Sequence, residues 1–125
     1  MRKQITSKNC GECHGPYALG VEMGNIIFTS QVGTDKDGNV VEGGVKAQTK
    51  QIMENAIDVL SAAGATLDDV GKVTIYITDM SIIGDMNEVY ATYFKEGDFP
   101  ARCCTQCSGM ADGCCVEMEF VAIKC

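Results

Sequence analysis

A chain of 125 residues makes one domain, 1–125, and its 46% hydrophobic content is enough for a single core without metal or disulfides. A net charge of −7, with ten Lys or Arg in all and no basic run, argues against nucleic acid as a partner, because phosphate contacts need clustered positive charge. No amphipathic membrane helix is evident, and no apolar run approaches the roughly 18 residues of a membrane span.

The N-terminal MRKQITSKN is polar and lacks the apolar core of a signal peptide. It predicts a short strand before residue 7, and a soluble cytoplasmic chain whose thiols stay reduced. NCGECHGPY follows, residues 9–17, where Cys10, Cys13 and His14 spell C-x-x-C-H, the pattern that attaches c-type haem. His14 is the only histidine and nothing marks the chain for export, so haem is set aside. A metal knuckle, a redox pair and plain core thiols stay open.

ALGVEMGNIIFTSQ, residues 18–31, predicts two strands meeting at a tight turn around Gly24-Asn25, the second rich in β-branched and aromatic residues. TDKDGNVVEGG is a loop. From Val45 to Ala63, apolar residues recur at helical spacing and Gly64 sits where a helix-ending glycine belongs. After LDDV, GKVTIYIT is a strand. Residues 81–95 repeat the helical pattern, with Ile83, Met86, Val89, Tyr90 and Phe94 on one side, until GDFP breaks it. ARCCTQC and CCVEMEFVAI are two further strands around an SGMADG turn. The order β-β-β-α-β-α-β-β predicts an α+β domain with both helices packed on one face of a β-sheet.

Few residues promise chemistry. Arg102, just after Pro100-Ala101 at the start of a strand, can grip a carboxylate with two parallel hydrogen bonds; its bland alternative is a surface ion pair. Glu117 and Glu119 share one face of the last strand while Val116, Met118 and Phe120 share the other. A carboxylate there either meets solvent or serves as a general base. Tyr17, Ser30 and Asn87 read singly as a turn, a strand edge and a helix surface.

Together these segments resemble the RidA (YjgF) family of reactive-intermediate deaminases, nearly end to end. The resemblance lies in GPYALGVEMGNIIFTS, in DGNVVEGGVKAQTKQIMENAIDVLSAAGATLDDVGKVTIYITDM, and in MNEVYATYF, FPAR and VEMEFVA. It implies a chorismate-mutase-like fold assembled as a homotrimer with pockets between subunits. It also implies hydrolysis of small imino and enamino acids, such as 2-aminoacrylate and 2-imino acids, to 2-oxo acids and ammonia, with no cofactor required. On that pattern Arg102 binds the substrate carboxylate and Glu117 activates water, while Tyr17, Ser30, Gln31, Asn87 and Cys104 line the pocket. One departure is the family's glycine between Ser30 and Gln31, which is absent; it would let backbone amides approach the ligand.

The other departure is the cysteines, of which there are eight. C-G-E-C and C-T-Q-C are two C-x-x-C pairs, and two such pairs on tight turns make a tetrahedral metal site. Cys10 and Cys13 would then meet Cys103, Cys104 or Cys107, in one subunit or across an interface. Residues i and i+3 of a regular strand face opposite ways, so Cys104 and Cys107 suit this only with a bulge. Thiols replacing small apolar core residues are the simpler reading, and no metal site is assigned. The alternative function is a non-catalytic trimer on the same scaffold, binding a metal, metalloid or small ligand through its cysteines.

Overall fold

The computed structural model describes residues 1–125. Six strands form one sheet: β1 (Lys3–Ile5), β2 (Gly20–Met23), β3 (Ile26–Val32), β4 (Val70–Ile77), β5 (Ala101–Gln106) and β6 (Val116–Ile123). Their order across the sheet is β1-β2-β3-β6-β4-β5. All neighbours are antiparallel except β4 and β5, whose parallel pairing is bridged by the second helix. Gly24, at φ 61°, makes the turn from β2 to β3 that the sequence placed there. The predicted element order holds throughout.

Alternation along the strands divides the sheet into two faces. Ile27, Thr29 and Gln31 of β3, Val73, Ile75 and Ile77 of β4, and Val116, Met118, Phe120 and Ala122 of β6 are buried. Helix α1 (Gly44–Ala62) covers this face with Ile52, Met53, Ala56, Val59 and Leu60, and α2 (Ile83–Ala91) adds Met86 and Tyr90. Phe28, Ser30, Thr74, Tyr76, Cys103, Glu117, Glu119 and Val121 occupy the other face, which no element of the chain covers. β3 pairs with β6 without a break from Ile26 to Val32, so Ser30 and Gln31 alternate faces in the ordinary way.

Gly64 ends α1 as expected. At φ 82° it lets its own N–H reach the Ser61 carbonyl at 3.0 Å, and the Ala65 N–H reach Leu60 at 2.8 Å. The second helix is shorter than its periodicity predicts. A 3-10 turn, Met80–Ile82, leads into it, started by the Asp79 carboxylate accepting from Ser81 N–H at 2.8 Å. It stops at Ala91, because the Thr92, Tyr93 and Phe94 amides bond three residues back and the Thr92 hydroxyl caps the Val89 carbonyl at 2.6 Å. No helix of the chain is long and apolar enough to cross a membrane.

Candidate active site

Pro100 and Ala101 lead into β5, where parity with Val73 of β4 turns Arg102 toward the helices. Its guanidinium lies 5.0 Å from the centroid of the Tyr90 ring, a cation–π contact. The ion pairs of the chain are Lys46–Glu88 and Lys124–Glu22, so this half-buried cation has no carboxylate partner. Asn87, Tyr90, Phe99, Pro100 and Arg102 surround a hollow of about 250 Å³.

Two polar atoms in its wall are also unpaired. The Asn87 Oδ1 and the Tyr90 hydroxyl are both buried without a hydrogen-bond partner. An unmet buried polar atom costs about 1–3 kcal/mol, so a cation and two orphan groups around one hollow mark a place built for a polar ligand. Burial pushes the Tyr90 phenol up to about 12, against the opposing pull of Arg102, so it remains a neutral donor. Cys104 shares the helix-facing side two residues on, half-buried against the core; its burial keeps the thiol protonated more firmly than usual.

Glu117 is on the other face. Its carboxylate accepts from the Ser30 hydroxyl at 3.1 Å, with Tyr76 of β4 opposite in register. Glu119 stands beside them and pushes the Tyr76 phenol up. Ser30 and Glu119 also line a shallow hollow of about 280 Å³ with Ala18. The adjacent Tyr17 is 65% exposed. Gln31 does not join this group. Its side chain is buried on the helix side, where it donates to Thr29 Oγ1 at 2.8 Å and to the Leu19 carbonyl at 3.5 Å.

One chain therefore gathers the expected site residues in separate places. Arg102, Asn87 and Cys104 lie on the helix side of the sheet; Ser30 and Glu117 lie on the uncovered face, and Tyr17, in the loop before β2, borders a separate hollow with Cys10 and Cys13. Sequence reasoning missed Tyr90 because an aromatic residue on an apolar helix stripe reads as core. The available signal was Asn87 three positions earlier, which puts two polar groups on one helical face.

The cysteines do not converge within a chain. Cys10 packs against α1, with its thiol 3.8 Å from the Asn55 carbonyl, near the β1 side of the sheet. Cys103 and Cys104 belong to β5 at the opposite edge, and Cys107 follows it. No three Cys, His, Asp or Glu side chains lie close enough together to hold a metal ion. Within one chain the two C-x-x-C pairs lie toward opposite edges of the sheet.

Known proteins share this fold. The sequence profile described as endoribonuclease L-PSP matches residues 8–124. A RutC family protein of Pyrococcus horikoshii is 40% identical over 126 residues, covering 99% of both chains. The 2-iminobutanoate/2-iminopropanoate deaminase of Mus musculus is 37% identical, covering 99% of this chain and 93% of its own. Among solved structures, RidA from the Antarctic bacterium Psychrobacter superposes with TM-score 0.91 at 32% identity, covering 98% and 100% of the two chains. Escherichia coli TdcF, solved with bound serine, gives TM-score 0.91 at 30% identity, covering 98% and 99%. With the motifs, the six-stranded sheet and the profile in agreement along almost its whole length, the chain belongs to the endoribonuclease L-PSP family, known also as YjgF/RidA.

Proposed function

We propose that the protein is an imine and enamine deaminase, converting 2-aminoacrylate and 2-imino acids to 2-oxo acids and ammonia without a cofactor. The observation that carries this reading is the unpaired Arg102 guanidinium on a hollow whose Asn87 and Tyr90 atoms also lack partners. A small ligand with a carboxylate would pair with the Arg102 guanidinium in this hollow. Relatives named as deaminases support the reaction class, and serine in the TdcF structure is a small carboxylate of the right kind. The family's name also mentions ribonuclease, but a net charge of −7 works against binding a polyanion.

In this mechanism Arg102 fixes the substrate carboxylate by a bidentate contact, and Tyr90 and Asn87 orient the rest. Glu117, held by the Ser30 hydroxyl, takes a proton from water as the water oxygen attacks the imine carbon. Glu117 returns that proton to the nitrogen, and the carbinolamine then collapses, its hydroxyl proton passing to the amine as the C–N bond breaks, to give ammonia and the 2-oxo acid. Arg102 and Glu117 face opposite sides of one sheet, so the site is completed by a second copy, in the homotrimer that the family resemblance implies.

The test is hydrolysis of 2-iminopropionate generated in situ, followed as pyruvate and ammonia. Arg102→Ala is expected to lower kcat/KM by tens- to several-hundredfold, about 2–4 kcal/mol of transition-state binding. Arg102→Lys keeps the charge without the fork and is expected to fall between the two. Parental rates in Arg102→Ala would end the deaminase reading.

A further inference from the structure

Phe99 stands on the hollow that holds Arg102, yet the mechanism gives it no task. It is 48% exposed, a large apolar side chain left open beside a charged group. Local structure sets its place. A turn at residues 95–98 is closed by the Asp98 N–H donating to the Lys95 carbonyl at 2.9 Å, and Gly97 takes φ 82° within it, a conformation that glycine adopts freely. Pro100 then keeps Phe99 out of the helical region, so the chain runs on from the turn into β5.

The ring is also held from behind. Its centroid lies 6.0 Å from that of Phe94 with the planes at 56°, and Phe94 lies 5.0 Å from Tyr90 at 44°. Both are tilted arrangements of the kind aromatic pairs favour. Tyr90 belongs to the core and Phe94 packs against it, so the row of three rings runs from the core to the hollow. The Tyr90 ring carries the Arg102 guanidinium as well, at 5.0 Å. Tyr90 therefore fixes the cation directly and the exposed ring through Phe94.

The lining of the hollow divides by chemistry. Arg102, Asn87 and Tyr90 bring polar groups, whereas Ala91, Phe99 and Pro100 bring only hydrocarbon. At about 250 Å³ the space has room for roughly eight waters of about 30 Å³ each, more than a three-carbon imino acid fills. What remains beside Phe99 has no side chain to hydrogen-bond and suits an apolar group.

We propose that Phe99 is the specificity-determining residue of this site. With the carboxylate on Arg102, its ring receives the side chain of the 2-imino acid and favours branched aliphatic and aromatic side chains over a methyl group. This rests on the deaminase reading and extends it to imino acids with larger apolar side chains. No step of the reaction changes. The ring adds binding by removing apolar surface from water, and a few buried carbons shift kcat/KM by about tenfold or more.

The test compares 2-imino acids generated in situ by an amino-acid oxidase from alanine, leucine and phenylalanine, with ammonia release measured above the spontaneous rate. In the parent, kcat/KM is expected to be at least about tenfold higher for the leucine and phenylalanine imines than for 2-iminopropionate. Phe99→Ala is expected to lower that ratio at least about fivefold, and Phe99→Leu to keep it within about twofold. Circular dichroism checks that Phe99→Ala folds, and Phe99→Val replaces it if it does not. A parent that prefers 2-iminopropionate overturns the proposal, as does an unchanged ratio in the folded variant. So does loss of assembly on sedimentation of Phe99→Ala, which would make the ring an interface residue. A second arm needs no catalysis: calorimetric binding of pyruvate and of 4-methyl-2-oxopentanoate. The parent is expected to bind the larger acid at least about tenfold more tightly, and Phe99→Ala to erase the difference. A parent that shows this difference but hydrolyses no imine ends the deaminase reading and keeps Phe99 as the selector. Hydrolysis without any preference for size does the reverse.

Discussion

Tyr90 is 3% exposed, its hydroxyl has no partner, and its ring carries the Arg102 guanidinium at 5.0 Å. The phenol is pushed up to about 12 from an ordinary 10.0, so the folded state holds this proton more tightly than the unfolded chain. Its contribution to stability is complete below about pH 10 and is lost as the pH rises from 10 toward 12. Tyr90→Phe removes both the titration and the orphan hydroxyl. The variant is expected to match or exceed the parent's urea midpoint at pH 8, and to lose less stability than the parent by pH 11, while its kcat/KM falls. A parent and variant with parallel midpoints across that range would refute the buried-phenol account. Arg102 was legible in the sequence because FPAR places it rigidly. Tyr90 was not, since periodicity reports burial and cannot report that a buried hydroxyl lacks a partner.

The element that locks the fold together is α1 on the end of β3. Gly33 lies so close to the helix that a Cβ there would stand 2.7 Å from Gln48 Cβ and 2.8 Å from its Cα. Gln48 in turn accepts from the Cys115 amide at 2.9 Å, tying the helix to the chain that enters β6. Asn55 donates to the Thr34 carbonyl at 2.9 Å. Gly33→Ala is therefore expected to cost about 2–3 kcal/mol, lowering Tm by roughly 5–15 °C, because the clash is with backbone rather than a flexible side-chain end. Gly71, in the β-bulge between Val70 and Lys72, meets nothing within 4 Å, and Gly71→Ala is expected to stay within about 0.5 kcal/mol. Equal thermal shifts in the two would contradict this packing. The order of elements was readable from local periods and turn residues, as Gly24 and Gly64 illustrate. The role of Gly33 was not, because it depends on an approach between segments that sequence spacing does not encode. The early end of α2 escaped for a related reason: Thr92, Tyr93 and Phe94 keep the apolar rhythm while their amides switch to three-residue bonding.

At the scale of the molecule, two small helices cover one face of a six-stranded sheet and leave the other bare, with Phe28, Val121, Ile123 and Met23 among its residues. Glu117 and Ser30 belong to that bare face, whereas Arg102 is turned toward the helices. Strand parity keeps Arg102 and Glu117 from meeting within one sheet, so the proposed reaction requires that copies assemble. Motifs made both residues legible, but only register against neighbouring strands assigns them to opposite faces. The consequence is an assay by complementation. Arg102→Ala and Glu117→Gln are each expected to be nearly inactive alone. When the two variants are mixed equally, unfolded and reassembled, a site taking Arg102 from one copy and Glu117 from its neighbour is intact in about a quarter of cases. Activity should therefore return to about a quarter of the parent's, with sedimentation giving trimers. Mixed trimers that stay inactive would place both residues in one subunit's site, against the geometry. A chain that sediments as a monomer at micromolar concentration, yet hydrolyses the imine, would remove the need for a second copy altogether.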